Sequence, residues 1–421
     1  MTSSIYRLIF FFACVITISI DGYSQRIDIL LKGGHVIDPA NKIDRIMDVA
    51  ISDGKITAVA PSIKADSAKK IVDVTGMYVT PGIIDMHVHV FHGTDPGSYL
   101  ANGFHGLPAD AFTFRAGVTT VVDAGSSGWK NFRLFKSQTI DRSKTRVLAF
   151  LNIVGGGMYG RLEEQDVSDM NPEMTAYMIK HEYPDLIVGI KSAHFWGDFT
   201  QVDKAVRAGE LAGVPVIVDF GEHHPPNSIE ELFMKHLRPG DIFTHTYANG
   251  FEDRETVVDQ TGKVKPFVFA AQKRGIMFDV GHGGGAFSWI QAVPAVQQGF
   301  LPNSISTDLH TESMNGGMKD MSNVMSKFLA LGLSLQDVIL RSTWMPANVI
   351  NKKQLGNLSV GSEADVAVFS LRQGDFGFLD VRGIRVKGKQ KLEAELTIRA
   401  GKIVWDLNGV AATDYDSKTK R

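Results

Sequence analysis

The chain has 421 residues, 44% of them apolar, with 42 glycines and a formal net charge of -2. It is long enough to bury a large core and to hold more than one domain, and its near-neutral balance argues against a polyanionic partner or a charged membrane surface. A small-molecule substrate is what remains, with no nucleic-acid partner.

The N-terminus opens with Arg7, an apolar run from Leu8 to Ile20, and small residues around Gly22 and Ser24. A positive start, an apolar stretch short for a bilayer span and a small-residue cleavage region predict a signal peptide over 1–24. The mature protein is then expected to be exported, to a bacterial periplasm, and to keep no membrane segment once the leader is removed. Cys14 is the sole cysteine and lies inside that leader. Disulfides, thiolate metal sites and cysteine nucleophiles are therefore excluded, and any metal must be held by His, Asp, Glu or a modified Lys.

Residues 25–80 alternate apolar and polar (IDILLKGGHVID, MDVAISDGKITAVA, KKIVDVTGMYVT), as short strands separated by Gly and Asp turns do. The same texture returns in ADVAVFS and LTIRAGKIVWD, within 351–410. The two ends are predicted to build one small β-sandwich domain, with 411–421 as a flexible tail. From 81 to 350 the texture changes. GIIDMHVH, VTTVVDAG, TRVLAFLNIV, DLIVGIKSAH, VPVIVDFG, DIFTHTYA, GIMFDVGH and SISTDLH are apolar β-type runs, and amphipathic stretches such as DKAVRAGELAG and SIEELFMKHL lie between them. Continuous apolar strands alternating with helices make this an α/β fold, and eight such units predict a (β/α)8 TIM barrel, with a doubly wound open sheet as the alternative.

Within these runs the polar residues gather at the C-terminal ends: His87 and His89, Asp123, Asn152, Lys191 and His194, Asp219, His245, Asp279 and His282, Asp308 and His310. In a (β/α)8 barrel that end carries the active site, so separate runs converge on one pocket. Imidazole and carboxylate without thiolate suit a divalent metal, zinc foremost, with Mn or Fe as alternatives. The strand period of two puts His87, His89 and Asp85 on one face, and His245 reaches the same mouth from across the barrel. Lys191 is the odd member. A lysine desolvated beside a cation tends to be neutral, and neutral lysine can add carbon dioxide to become an anionic two-oxygen ligand. The other reading is a lysine that binds a substrate carboxylate.

PGIIDMHVHV, the lysine in VGIKSAH, THTY and STDLH together resemble the amidohydrolase superfamily. RAGVTTVVDAGSSG, RVLAFLNI, LRPGDIFTHTY, FDVGHGGGAFSW, ISTDLHTESMNGGMKDMSNVMSKFLALG and GSEADVAVFS are similar to its amidohydrolase/deacetylase subgroup, related to the dihydroorotases. The likeness runs from about residue 30 to 405. It implies two divalent ions. One would be held by His87, His89 and Asp308, the second partly by His245, with Lys191 bridging both after consuming carbon dioxide to form its carbamate. It further implies that Asp308 is the catalytic general base for attack of water on a scissile carbonyl. One position departs from the family's pattern, because strand five usually ends in a metal-binding histidine and VPVIVDFG has Asp219 there. Ligation by Asp219 is the reading adopted; the alternatives are loss of the second ion or replacement by His223 or His224 from GEHHPP.

At the rim, His282 is assigned to substrate or to support of a ligand, as are Trp196 and Tyr247, with Met158 and Tyr159 as further pocket candidates. Asp85 is expected to orient a ligand imidazole. The reaction implied is cleavage of an acyl bond, the acetyl ester or amide of a small carboxylic acid. Ring opening of a cyclic amide of the dihydroorotase type is the second reading, and a non-catalytic exported binding protein on a decayed barrel the third. Whether the chain forms a homo-oligomer is left open by the sequence.

Overall fold

The computed structural model describes residues 26–66, 68–92, 106–158, 162–219, 228–249 and 255–415. The expected leader with Cys14, together with Tyr159, His223 and His224, lies outside them. The chain begins with β1 (Ile27–Asp38), β2 (Ile43–Ser52), β3 (Lys55–Ala60), β4 (Ala68–Asp73) and β5 (Tyr78–Pro81). A second series follows: β6 (Ile83–Val88), β7 (Val118–Gly128), β8 (Arg146–Asn152), β9 (Ile187–Ala193), β10 (Val216–Asp219), β11 (Ile242–Phe243) and β12 (Met277–Phe278). After a helical stretch come β13 (Val366–Leu379), β14 (Arg385–Arg399) and β15 (Lys402–Asp406).

The two chain ends meet in one mixed sheet of order β15-β14-β13-β5-β1-β2-β3, with β4 also on β1. β5 pairs antiparallel with β13, for example Val79 with Val368, which joins the ends. β1 bulges between Leu31 and Gly34, and there its edge passes from β4 to β5. The expected sandwich thus takes the form of a single sheet that branches at β1. Leu31, Val49 and Val79 from the N-terminal strands pack with Val366, Leu396 and Ile398 from the C-terminal ones in a shared core.

β6 to β12 lie side by side in chain order, all parallel. β6, β7 and β9 are buried at every position, as strands covered on both faces must be. The eighth strand is the segment around 304–310, which closes the barrel by parallel bridges of Ser304 to Asp279 and of Leu309 to Val88. It is broken because Asp308 has φ of 49°, outside the extended region. Helices such as Thr200–Ala212 cover the outside, burying Val202, Ala205 and Ala208. Among the described residues no helix is long and apolar enough to cross a membrane.

Arg146, the first residue of β8, ties the barrel to the terminal sheet. Its guanidinium donates to Asp365 at 2.6 Å and to Glu363 at 2.5 Å, and Arg399 pairs with the same two carboxylates. The pairs are half-buried, so Arg146→Ala is expected to cost about 2 kcal/mol, between the values typical of exposed and of buried pairs. Urea denaturation checks this, and an unchanged midpoint would show that the network contributes nothing.

Candidate active site

Each ligand imidazole is oriented by its outer nitrogen. His87 Nδ1 lies 2.8 Å from Thr244 Oγ1, whose own proton goes to Asp279 Oδ2 at 2.8 Å. With that hydroxyl proton committed, His87 Nδ1–H donates to Thr244 and leaves Nε2 with its lone pair facing inward. His245 Nδ1–H donates to the Gly281 carbonyl at 2.6 Å, and a carbonyl can only accept, so His245 Nε2 is likewise the ligand atom. His89 sets Nδ1 on Ser126 Oγ at 3.1 Å.

The inner atoms converge. Asp308 Oδ1 lies 3.2 Å from His89 Nε2 and 3.6 Å from His87 Nε2. The donor atoms of His87, His89 and Asp308 fall within 4.8 Å of one another, and all three residues are buried. Lys191, 1% exposed, places Nζ 3.4 Å from His87 Nε2. Gly125 on β7 makes room for it, since a Cβ there would meet Lys191 Cβ and Cγ at 2.6 Å. On the far side, Asp219 Oδ2 lies 3.3 Å from His245 Nε2 and 3.5 Å from His194 Nε2.

Burial drives the Lys191 ammonium below its ordinary value, only partly offset by Asp219 and Asp308. Burial, with Lys191 second, takes the His87 imidazole down to about 4, so the ring is neutral at pH 7 and able to ligate. For Asp308 burial acts upward but is overcome by His310 and His87, which hold the carboxyl well below the usual range. The site therefore contains a carboxylate, a neutral imidazole at His87 and a lysine predisposed to lose its proton.

Three expectations are corrected. Asp85 orients no ligand ring; it accepts from Thr307 N–H at 3.0 Å and Thr307 Oγ1 at 2.5 Å, and so anchors the strand carrying Asp308. Asp279, acting through Thr244, does the orienting instead. Tyr247 does not line the pocket: it is fully buried with its hydroxyl on the Phe300 carbonyl at 3.1 Å, among Phe287 and Phe328. His282 is also fully buried, with its ring held by core partners. Its Nδ1 donates to the Gly283 carbonyl at 2.9 Å, its Nε2 accepts from Lys327 Nζ at 2.5 Å, and its ring stacks on Phe287. Trp196 stays at the rim, 37% exposed, with its backbone N–H on the Gln165 side chain at 2.8 Å. Met158 is buried beside β7, donating its N–H to the Gly125 carbonyl at 3.1 Å.

Two further residues belong to the site. Glu164, in a short turn, accepts from His194 Nδ1 at 2.8 Å, and His194 reaches Asp219 with its other nitrogen. His194 stands three residues after Lys191, off the strand period, and only its φ of 60° brings it back to this face. Glu164 has no periodic signal at all.

No protein-family model matches the chain. It is 35% identical over 356 residues to a deacetylase of Brucella anthropi, spanning 81% of this chain and 83% of that protein. The chain belongs to the amidohydrolase superfamily. Solved structures similar to this amidohydrolase include an adenine deaminase (TM-score 0.80, 30% identity, 90% of this chain and all of that one) and a dihydroorotase (TM-score 0.76, 30% identity, 92% of this chain and all of that one). It is accordingly a metal-dependent hydrolase, and His87, His89 and Asp308 are a group that could hold a metal ion. The fit is chemical as well as geometric, because two imidazoles and a carboxylate are a donor set for a divalent ion.

Gly283 packs against this site with φ of 58°, and a Cβ on it would lie 2.4 Å from Asp308 Oδ2. Gly283→Ala is expected to displace that carboxylate and lower kcat by about 10- to 100-fold, since misplacement by about 1 Å carries a cost of that order. Circular dichroism should show an unchanged fold; a wild-type kcat would mean that the carboxylate is not tightly placed.

Proposed function

We propose that this amidohydrolase cleaves an acyl bond, the acetyl ester or amide of a small carboxylic acid. In this reading it uses two divalent ions, zinc foremost, with Lys191 as a carbamate between them. The observation that carries the two-ion reading is Lys191 itself: buried, pushed toward neutrality, 3.4 Å from His87 Nε2, and acted on by both Asp219 and Asp308. Its neutral Nζ lone pair adds to the carbon of carbon dioxide and one proton leaves, so a cation that would repel metal becomes an anion that binds it. The acyl substrate class is supported by the 35% identity to the Brucella anthropi deacetylase.

Divalent ions in this position supply an activated water at neutral pH and polarise the scissile carbonyl. The chain's own part is to position and to move the proton. Asp308, held as a carboxylate, accepts the water's proton and delivers it to the leaving oxygen or nitrogen. Asp279 with Thr244, Ser126 and the Gly281 carbonyl fix the three ligand rings, and Asp85 fixes the segment bearing Asp308.

His310 donates Nδ1–H to the Asp308 backbone carbonyl at 2.7 Å, with its ring 3.4 Å from Oδ1. Burial disfavours its cation, but Asp308 raises it to about 9, so it is charged at pH 7. Removing that cation destabilises the Asp308 anion. His310→Ala should therefore move the acid limb of kcat/KM to higher pH and lower the rate below pH 7; an unmoved limb would separate His310 from the base.

A second reading, opening of a cyclic amide, is favoured by the likeness to the dihydroorotase structure at 30% identity. Purified protein assayed on acetylated hydroxy acids, N-acetyl amino acids and cyclic imides decides between them. Turnover confined to the ring substrates would overturn the deacylase reading.

A further inference from the structure

We infer that His194 is a ligand of the second ion, replacing the imidazole that Asp219 displaced from strand five, and that Glu164 is its orienting carboxylate. This rests on the two-ion reading above and assigns the residues of that second position.

The strand ladder sets the placement. Asp219 pairs with Ala193 across β10 and β9, so His194, the next residue, emerges beside Asp219 at the mouth of the barrel. Its Nε2 stops 3.5 Å from Asp219 Oδ2, while His245 Nε2 approaches the same oxygen to 3.3 Å. Two imidazoles from neighbouring parts of the rim thus flank one carboxylate, and Lys191 lies on β9, the strand that His194 directly follows.

Backbone conformation separates His194 from an incidental surface pair. Among the described residues eight non-glycines have positive φ, and three of them stand at the ends of barrel strands: His194 at 60°, His245 at 56° and Asp308 at 49°. Residues with side chains hold this region only where the surroundings over-determine it, and such positions collect at functional sites. His245 and Asp308 are already placed at the centre by their contacts. His194 shares their conformation and their strand-end position, and without that φ the strand period would direct it to the helix side.

The outer nitrogen supplies the second argument. His194 Nδ1 is bound at 2.8 Å by Glu164 Oε2, and Glu164 is 1% exposed. Its other oxygen, Oε1, has no hydrogen-bond partner among the described residues. Burying a carboxylate that serves only one imidazole is unfavourable unless that imidazole carries positive charge on its far side, from a proton or from a metal ion. Carboxylate, imidazole and metal in series is the usual way a ligand histidine is fixed. His87 has the same arrangement through Thr244 and Asp279. An ion held by Nε2 would take the place of that proton, with Glu164 as the carboxylate behind the ring.

The test counts metal rather than turnover. Metal-free full-length protein is titrated with Zn(II) in bicarbonate buffer, and ions per chain and their affinities are read by elemental analysis and calorimetry. The wild-type chain should bind two ions, His194→Ala one, and Glu164→Gln two, with the second weakened about 10- to 100-fold. If the alanine variant does not fold, His194→Gln, which keeps a donor for Glu164, takes its place. Two ions at wild-type affinity in the His194 variant would overturn this inference and leave the two-ion reading standing. A wild-type chain that stops at one ion would overturn both.

Discussion

Asp308→Asn should lower kcat by about 10³-fold or more while the chain still takes up metal through His87 and His89. General-base catalysis alone contributes about 10²- to 10⁴-fold, and in the proposed site the same residue also supplies a ligand oxygen. An amide has the shape of the carboxylate but accepts no proton at neutral pH, so the variant isolates the proton transfer from the packing. Oδ1 lies 3.2 Å from His89 Nε2, and the neighbouring imidazoles keep the carboxyl ionised against the effect of burial. Steady-state kinetics with elemental analysis of the same preparation checks the result. Turnover within tenfold of wild type would remove Asp308 from the base role.

Lys191→Ala should abolish bridging and cost activity on the order of 10³-fold, with the metal count falling from two toward one. Lys191 is 1% exposed, and alanine leaves both a cavity and a metal site without the anion that was to serve it. A short carboxylate such as acetate or propionate, at high concentration, should restore part of the rate, because it returns two oxygens to the space the side chain vacated. Bicarbonate dependence of wild-type metal uptake is the companion measurement. Full activity in the alanine variant would exclude the carbamate, and a lysine serving only a substrate carboxylate would raise KM while leaving the metal count at two.

The two variants probe groups on different strands whose spacing in sequence says nothing about their contact. Lys191 meets His87 across 104 residues, and Asp85 holds Thr307 across 222. Strand alternation identified the face on which His87 and His89 stand, and burial of both faces identified the barrel. Neither says which nitrogen of a ring points inward, because that depends on partners from other strands: Thr244 for His87, Ser126 for His89, Gly281 for His245. Asp85 illustrates the limit. It stands on the face shared with the histidines, as expected, yet its partner is Thr307 and the ring-orienting carboxylate is Asp279.

The other two misjudged residues lie past the ends of the strands. Tyr247 and His282 follow β11 and β12 by a few positions, where strand period no longer applies and backbone φ decides direction. His282 sits between Gly281 and Gly283, both with positive φ, and its ring turns into the core to meet Lys327 and Phe287. His194 shows the opposite case, an off-period residue that a positive φ returns to the mouth.

By itself the sequence determined the (β/α)8 barrel, the β-sheet built from both ends and the face that carries the chemistry; the ligand roles of His87, His89, Lys191, His245 and Asp308 came from the family resemblance. The barrel, the sheet and the face follow from hydrophobic periodicity and residue type, which act locally along the chain. Only the tertiary structure decided that Asp219 is shared by His194 and His245, that Glu164 stands behind His194, and that Tyr247 and His282 belong to the core. Those outcomes depend on distances between strands that are remote in sequence and on the sign of φ just beyond them, and neither is written in a local pattern.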